Sequence, residues 1–155
     1  MAYRPLRIVS GGQTGVDRAA LDAAIELAIA HGGWCPRGRL AEDGRIPAYY
    51  ELRETNSADY SRRTEQNVID SDATLILHRG PLRGGTLLTR ELAARHEKPF
   101  LTVDLTNPLP AENVDQWLRD HEVKTLNVAG PRESQSMGIG SLAREYLVGL
   151  FSCPC

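Results

Sequence analysis

The sequence contains little of what marks a secreted, membrane or nucleic-acid-binding protein. Only 3 of its 155 residues are cysteine, too few for a disulfide framework and suited to the reduced cytosol. The formal net charge is −2, whereas proteins that neutralise nucleic-acid phosphates normally carry a basic balance or patch. No apolar run approaches the roughly 20 residues of a membrane span, and the opening residues reach glycine too early for a signal peptide. We therefore expect a cytoplasmic protein without nucleic-acid or membrane partners.

Several familiar motifs of catalysis and cofactor binding are also absent. The first glycine-rich turn has Ser10 where a dinucleotide-binding fingerprint needs glycine, and residues 34–36 lack the carboxylate expected further on. No Lys-Ser or Lys-Thr pair follows those glycines, so the turn is not a P-loop. The chain has no HExxH or CxxC motif and no convincing Ser/His/Asp set. We therefore predict no metal ligands and no catalytic residues, and free thiols at Cys153 and Cys155.

What is present is an alternation of short apolar runs with amphipathic segments. Strands are predicted at 6–9, 34–35, 50–55, 73–77, 100–103 and 125–129, and helices at 16–31, 64–71, 85–96, 111–121 and 139–150. Gly32 and Gly33 are interpreted as the stop of the first helix. Such alternation predicts an α/β fold, a three-layer, doubly wound and mostly parallel sheet. The length favours a single domain over residues 1–155.

Three of the predicted strands end in unusual loops, at the edge where open parallel sheets bind ligands. These loops are SGGQTGVD at 10–17, HRGPLRGGT at 78–86 and NVAGPRES at 127–134. The long segment 36–60 mixes glycine, proline and charge. A loop of that length inside a compact domain is more often functional than idle.

The first loop has the features of an anion-binding turn. Its glycines permit backbone angles and a close approach that a Cβ would block, and the helix that begins near Gly15 presents free N–H groups to a phosphate. Thr14 and Asp17 have the spacing of a capping box, so Asp17 is either a cap only or part of the site. Arg18 either pairs with the anion or faces solvent. The predicted binding residues of this loop are Gly11, Gly12, Gln13, Thr14, Gly15, Asp17 and Arg18.

The other two loops also have features of a ligand-binding site. Gly84, Gly85 and Thr86 open a helix directly after a buried strand and form a second anion seat. Arg83 lies beside it and could fork onto phosphate oxygens. The third loop supplies a further wall, in which Arg132 is the favoured charged residue. Its predicted binding residues are Asn127, Gly130, Arg132, Glu133 and Ser134.

Four blocks of the sequence, in order, resemble the putative molybdenum carrier family. They are SGGQTGVDRAALDAA at 10–24, RTEQNVIDSDATLIL at 63–77, GGT at 84–86 and LNVAGPRES at 126–134. This family belongs to the LOG-like (SLOG) Rossmannoid superfamily, which is related to the lysine decarboxylase-like proteins. The resemblance implies a Rossmann-like fold of five or six strands and a homo-oligomer, often a dimer or tetramer. It also implies a cleft for a nucleotide or a phosphorylated pterin such as the molybdenum cofactor.

One departure from the wider superfamily bears on catalysis. Its phosphoribohydrolases carry PGGxGTxxE, with a catalytic glutamate one helical turn after the threonine. Aligned on 84–86, that position holds Thr89, and Glu91 projects in another direction. The resemblance therefore favours a carrier or binding protein. The alternatives are a nucleotide sensor and a nucleoside-monophosphate N-glycosidase, whose acid/base carboxylate would have to be Glu65, Glu42 or Asp43.

Overall fold

The computed structural model describes residues 1–152, so Cys153 and Cys155 lie outside the described residues. The strands are β1 (Arg7–Val9), β2 (Ala30–Gly32), β3 (Trp34–Cys35), β4 (Leu40–Ala41), β5 (Gly44–Arg45), β6 (Arg53–Glu54), β7 (Ala73–His78), β8 (Phe100–Asp104) and β9 (Thr125–Ala129). The helices are α1 (Val16–Glu26), α2 (Tyr60–Ile69), α3 (Gly84–Arg95), α4 (Ala111–Asp120) and α5 (Ile139–Ser152). No helix within this part of the chain is both long and apolar enough to cross a bilayer.

The central sheet has five strands in the order β2-β1-β9-β7-β8, and every pair is parallel. The three strands whose loops carry the predicted site, β1, β9 and β7, are therefore neighbours. Val9 pairs with Asn127, and Ile76 pairs with Ala129, so the carboxyl ends of the three strands lie side by side. The predicted α/β, doubly wound, Rossmann-like fold is confirmed.

The sheet is covered on both faces, and its middle strands β7 and β9 are mostly apolar. Ala73–Leu77 is buried at every position. Leu75 and Leu77 pack into the main core with residues of α1, α4 and α5, while the alternating side chains of β7 point to the opposite face. On that face α2 and α3 contribute Val68, Leu92 and Ala93 to a smaller cluster. The candidate loops emerge at one end of this three-layer arrangement.

The predicted helix 16–31 is wrong in its last five residues. α1 ends at Glu26, and residues 30–32 form β2 beside β1. Ala28 has a φ of 56°, and the N–H of Ile29 donates to the carbonyl of Ala24 at 2.9 Å, which is the bond of a Schellman motif. Ala28 therefore occupies the C′ position, where glycine is usual. Gly32 and Gly33, which were predicted to end the helix, do not end it.

Residues 36–60 are more ordered than a simple loop. β3 pairs with β6 in parallel, which confirms the strand at 34–35 and shortens the one predicted at 50–55. β4 and β5 form an antiparallel hairpin, hereafter the acidic hairpin, with Glu42 and Asp43 in its turn. Ile46 and Tyr50 pack with Leu21 and Cys35 in a separate apolar cluster. The segment is therefore fixed against α1, and α2 begins at Tyr60, four residues before the predicted start.

Candidate functional site

A cleft opens beyond the carboxyl ends of β1, β9 and β7, between α2 and α3. Its volume is about 130 Å³. It brings together part of the predicted set, namely Gly11, Gln13, Asp17, Gly85, Thr86, Asn127, Gly130 and Arg132. The remaining predicted residues do not line it, namely Gly12, Thr14, Gly15, Arg18, Arg83, Gly84, Glu133 and Ser134.

Gln13 presents an unpaired donor in this cleft. Its side-chain oxygen Oε1 accepts the backbone N–H groups of Thr14, at 3.0 Å, and Glu42, at 2.9 Å. These two bonds fix the orientation of the amide, because only the oxygen can accept them. The Nε2 group is buried and has no partner among the described residues, and Gln13 is only 5% exposed. A buried donor left unpaired costs about 1–3 kcal/mol, so this group is suited to a ligand acceptor.

Asp17 is a buried carboxylate that lines the same cleft as Gln13. It is 7% exposed, and its Oδ2 accepts the backbone N–H of Gln13 at 3.4 Å. Burial raises its pKa to about 6, against opposing contributions from the positive charge of Arg63 and from backbone N–H groups that include Gly11. Perturbed carboxylates in clefts are typical of functional sites.

The predicted capping box at Thr14 and Asp17 is wrong. Gly15 is the N-cap of α1 and provides no side-chain bond. The Thr14 hydroxyl donates instead to Glu42 of the acidic hairpin, and the Asp17 carboxylate turns inward to its own loop. Thr14 and Asp17 therefore do not cap the helix, because the first bonds to Glu42 and the second to the backbone of Gln13.

Helix α2 contributes residues that the sequence analysis missed. Arg63 is 7% exposed and donates through Nη1 to the carbonyl of Gly11 at 2.7 Å. Its guanidinium lies 5.0 Å from the ring centroid of Tyr60. Arg63 and Asn67 both line the cleft, and their i,i+4 spacing puts them on one face of the helix. A polar pair at that spacing next to the buried Val68 is the signal that could have identified them.

The amide groups of the β1–α1 turn are largely occupied by the chain itself. The N–H of Gln13 donates to Asp17 and that of Thr14 to the Gln13 side chain. The N–H of Val16 donates to the Pro131 carbonyl at 3.2 Å. A phosphate at the start of α1 would have to displace these internal partners.

The glycines of the same turn are approached by protein atoms. A Cβ at Gly11 would lie 2.7 Å from Nη1 of Arg63, and one at Gly12 would lie 2.6 Å from Cδ1 of Leu52. A Cβ at Gly15 would clash with the carbonyl oxygen of Pro131. The glycines of this turn are therefore needed because other parts of the protein pack closely against them, whereas the sequence had predicted the close approach of a ligand.

The start of α3 is open by comparison. Arg83 is its N-cap and makes no side-chain cap bond. The N–H groups of Thr86 and Leu87 donate to the Arg83 carbonyl, while within the described chain those of Gly84 and Gly85 have no partner. A Cβ at Gly85 would meet nothing within 4 Å. This helix terminus therefore directs free amides toward the rim of the cleft.

A second depression, the arginine groove, adjoins the cleft and shares Thr86 and Gln135 with it. Its volume is about 370 Å³, and the residues that line it include Arg79, Arg83, Pro81 and Pro131 but no carboxylate. Arg79 is held by a bond from Nε to the Ser136 hydroxyl at 2.9 Å. The Arg83 guanidinium has no hydrogen bond or ion pair within residues 1–152.

The acidic hairpin engages several predicted site residues. Glu42 accepts the N–H of Ser134 at 3.2 Å as well as its hydroxyl, and its Oε1 lies 3.4 Å from Nε of Arg132. The hydrogen bonds from Ser134 and Thr14 lower the pKa of Glu42. Asp43 pairs with Arg18 at 2.6 Å, which lowers the pKa of Asp43. The carboxylates of Glu42 and Asp43 thus hold the hairpin against the first and third predicted loops and the start of α1.

Two further carboxylates also have partners outside the cleft. Glu133 accepts the N–H of Gly140 at 3.1 Å and that of Gly138, so it holds the start of α5. Glu65 pairs with His96 at 2.8 Å. Among the described residues, Asp17 is therefore the carboxylate that lines the cleft. No group of three or more His, Cys, Asp and Glu in residues 1–152 could hold a metal ion.

Comparison with known proteins places these features in a family context. Residues 8–151 match the family described as circularly permutated YpsA SLOG. The chain is 44% identical to a putative molybdenum carrier protein from Syntrophus aciditrophicus SB, whose crystal structure is known at 1.45 Å resolution. That match covers 97% of each chain, with a TM-score of 0.92. Among curated proteins, none matches significantly.

Proposed function

The chain belongs to the circularly permutated YpsA SLOG family, and from this premise we propose that it is a binding protein for a phosphorylated ligand. The ligand is a phosphorylated pterin, the molybdenum cofactor, or a nucleotide-like molecule. The name of the similar Syntrophus protein, a molybdenum carrier, supports the pterin. A fold alone does not select a ligand, so the proposal depends on the chemistry of the cleft.

The observation that carries the proposal is the unpaired Nε2 donor of Gln13. Two backbone N–H groups hold the amide oxygen and leave the nitrogen buried without a partner. Native proteins satisfy nearly all such groups. A bound ligand with an acceptor at this position would remove the penalty, which makes the group a specific contribution to binding.

The phosphate is assigned to the open start of α3. A helix N-terminus combines free N–H groups with the positive end of the helix dipole, and Gly84 and Gly85 leave this one sterically open. Arg83 stands at the same terminus as its N-cap. The guanidinium can add a bidentate, charge-assisted contact to phosphate oxygens.

A carrier is favoured over an N-glycosidase by the state of the carboxylates. Glu42, Asp43 and Glu65 are each paired elsewhere. Thr89 turns its hydroxyl to the Gly85 carbonyl at 2.8 Å, where the phosphoribohydrolase motif has glutamate. The proposal also includes a single domain, a homo-oligomer and a cytoplasmic location without nucleic-acid partners, supported by the resemblance and by the net charge of −2.

Thermal-shift measurements with nucleoside monophosphates and phosphorylated pterins test this function, with inorganic phosphate as the reference. A specific ligand at 100 times its Kd should add about 2.7 kcal/mol to the free energy of unfolding. Native mass spectrometry of freshly purified protein should show the mass of a retained ligand. The Gln13→Glu variant keeps the two oxygen contacts but removes the donor, so it should bind the same ligand more weakly.

Two results would contradict the proposal. If no phosphorylated compound raised the melting temperature and the purified chain carried no ligand, the binding function would be lost. If the protein released free adenine from AMP, and Asp17→Asn abolished the release, the chain would be a hydrolase instead of a carrier.

A further inference from the structure

We propose that Gln13 and Asp17 form a subsite for the hydrogen-bonding edge of a 2-amino-4-oxopyrimidine ring, which is part of both pterins and guanine. The inference rests on the proposed binding function and specifies which part of the ligand enters the cleft. The ring would present its amino group and ring N–H to the carboxylate of Asp17. Its carbonyl oxygen would accept from Nε2 of Gln13.

The complementarity follows from the inventory of donors and acceptors. An ionised carboxylate has two acceptor oxygens and a primary amide nitrogen has two donor hydrogens. The two side chains thus offer two acceptors and a donor, the inverse of the donor, donor and acceptor on the ring edge. The Asp17 carboxylate already receives backbone N–H groups, which hold it in place and leave further lone pairs for a ligand.

The surroundings of this pair suit a flat, uncharged group. Leu88, Val128 and Ala129 line the same cleft and provide apolar surface for the faces of a ring. The volume of about 130 Å³ is below the range of roughly 300–1,000 Å³ for complete ligand pockets. The cleft therefore holds one moiety, and the rest of the ligand must extend elsewhere.

The charges of the two depressions indicate which part of the ligand occupies the cleft. A phosphate next to the buried Asp17 carboxylate would place like charges together where water screens them little. Arg63 and Arg132 also line the cleft, but Arg63 offsets the charge of Asp17 and Arg132 faces Glu42 at 3.4 Å. The arginine groove, by contrast, contains Arg79 and Arg83 and no carboxylate. Thr86 and Gln135 belong to both depressions. The ring therefore lies in the cleft, and the phosphate crosses Thr86 to the arginine groove and the start of α3.

A change of hydrogen-bonding pattern tests the subsite directly. Asp17→Asn replaces one acceptor oxygen by a donor, so the variant should prefer a 2-oxo ring over the 2-amino ring. Isothermal titration calorimetry with GMP and XMP, and with 6-hydroxymethylpterin and 6-hydroxymethyl-lumazine, measures the preference in matched pairs. We expect the wild-type protein to prefer the 2-amino member at least tenfold, and Asp17→Asn to reverse that order. A comparison of 6-hydroxymethylpterin with guanosine, neither of which carries a phosphate, distinguishes a pterin from a guanine nucleotide.

The controls separate this inference from the proposed function. Arg83→Gln should weaken GMP but leave the binding of 6-hydroxymethylpterin, which has no phosphate, unchanged. Gln13→Glu should weaken both rings and supplies a second test if Asp17→Asn fails to fold. Equal affinity of the wild-type protein for GMP, AMP and ribose 5-phosphate would overturn the ring subsite and leave the phosphate-binding function standing. No binding of any of these compounds would overturn both.

Discussion

The two glycine-rich turns at the carboxyl edge of the sheet differ in what surrounds their amide groups. In the β1–α1 turn, the N–H of Thr14 is bonded to a side chain of the turn, and the N–H of Val16 is bonded to the neighbouring loop. In the β7–α3 turn, a Cβ added at Gly85 would meet nothing within 4 Å, and the N–H groups of Gly84 and Gly85 have no partner within the described residues. A helix N-terminus is therefore available to an anion only where neighbouring loops leave its amides free.

The closed turn and the open turn have complementary roles. Because the β1–α1 turn satisfies its own backbone, it holds the side chains of Gln13 and Asp17 in fixed positions at the cleft. The β7–α3 turn leaves its backbone amides to a ligand. In the proposed site, the β1–α1 turn contacts the ligand through side chains and the β7–α3 turn contacts it through backbone N–H groups.

Alanine at one glycine of each turn should give the largest contrast. Gly15 has φ 78° and ψ −131°, a conformation that essentially only glycine adopts without strain, and its Cβ would clash with Pro131. We expect Gly15→Ala to lower the free energy of unfolding by about 4 kcal/mol, from backbone strain and overpacking together. Gly85→Ala places alanine in an open helical position and should raise it by about 0.5–1 kcal/mol.

Equilibrium urea denaturation of both variants measures this contrast. The midpoint should move down for Gly15→Ala and slightly up for Gly85→Ala, with an unchanged slope. Equal losses of stability in the two variants would contradict the distinction between a closed and an open turn.

The carboxylate of the closed turn should be destabilising when it is ionised. The pKa of Asp17 is raised from 3.8 to about 6, so the folded protein holds this proton more tightly than the unfolded chain. The associated stabilisation is complete below pH 3.8 and is lost as the pH rises through about 6. A difference of about two pKa units corresponds to about 3 kcal/mol. We therefore expect Asp17→Asn to be more stable than the wild-type protein at pH 8, by up to that amount.

Urea denaturation of the wild-type protein and Asp17→Asn at several pH values checks this expectation. The advantage of the variant should shrink between pH 8 and pH 4, because the wild-type carboxyl group becomes neutral. A variant that gains stability while it loses ligand binding is typical of a functional residue. An advantage that does not depend on pH would contradict the raised pKa, because it would mean that Asp17 has the same pKa in the folded and the unfolded chain.

The acidic hairpin should have a smaller effect, because its contacts are partly solvated. Glu42→Gln keeps the size of the side chain but removes the charge that faces Arg132 at 3.4 Å. We expect a loss of about 1 kcal/mol at pH 7. Since hydrogen bonds lower the pKa of Glu42 from 4.5, its contribution is present above pH 4.5 and disappears as the pH falls through the lowered pKa.

Glu91→Gln is the matched control, since Glu91 is exposed and its carboxylate has no hydrogen bond or ion pair within the described residues. Denaturation at pH 7 should separate the two variants, and the difference should shrink as the pH falls below 4.5. If Glu42→Gln behaved like Glu91→Gln at pH 7, the charge of Glu42 would not contribute to holding the hairpin against the two loops.

The parts of the fold that could be predicted are those decided by local sequence. Residues 73–77 and 125–129 are mostly apolar runs that form β7 and β9, with 73–77 and 126–128 buried. The alternation of strands and helices was enough to predict the parallel sheet. The end of α1 could not be predicted. Ala28 adopts the left-handed conformation there, and Ile29 extends the helical spacing while it packs in the core.

In the candidate site, too, features decided by local sequence could be predicted, and features that depend on contacts between distant residues could not. The three loops could be placed at one edge, because parallel strands end on the same side of a sheet. The role of Arg63 could not be predicted, since its bond to Gly11 joins residues 52 positions apart. Nor could the closure of the β1–α1 turn, which depends on Glu42 reaching Gln13, Thr14 and Ser134 from a distant hairpin.

The smallest effect on stability is expected at the open turn itself. Arg83 is exposed, so Arg83→Gln should change the free energy of unfolding by less than about 0.5 kcal/mol. Its effect should appear in binding instead. A lost contact between a guanidinium and a phosphate weakens affinity about tenfold for each 1.4 kcal/mol, and added salt should reduce the difference from the wild-type protein. Calorimetry with a phosphorylated ligand at two salt concentrations measures it. A variant that lost stability but kept its affinity would mean that Arg83 serves the fold, and the open turn would then have no charged partner for a phosphate.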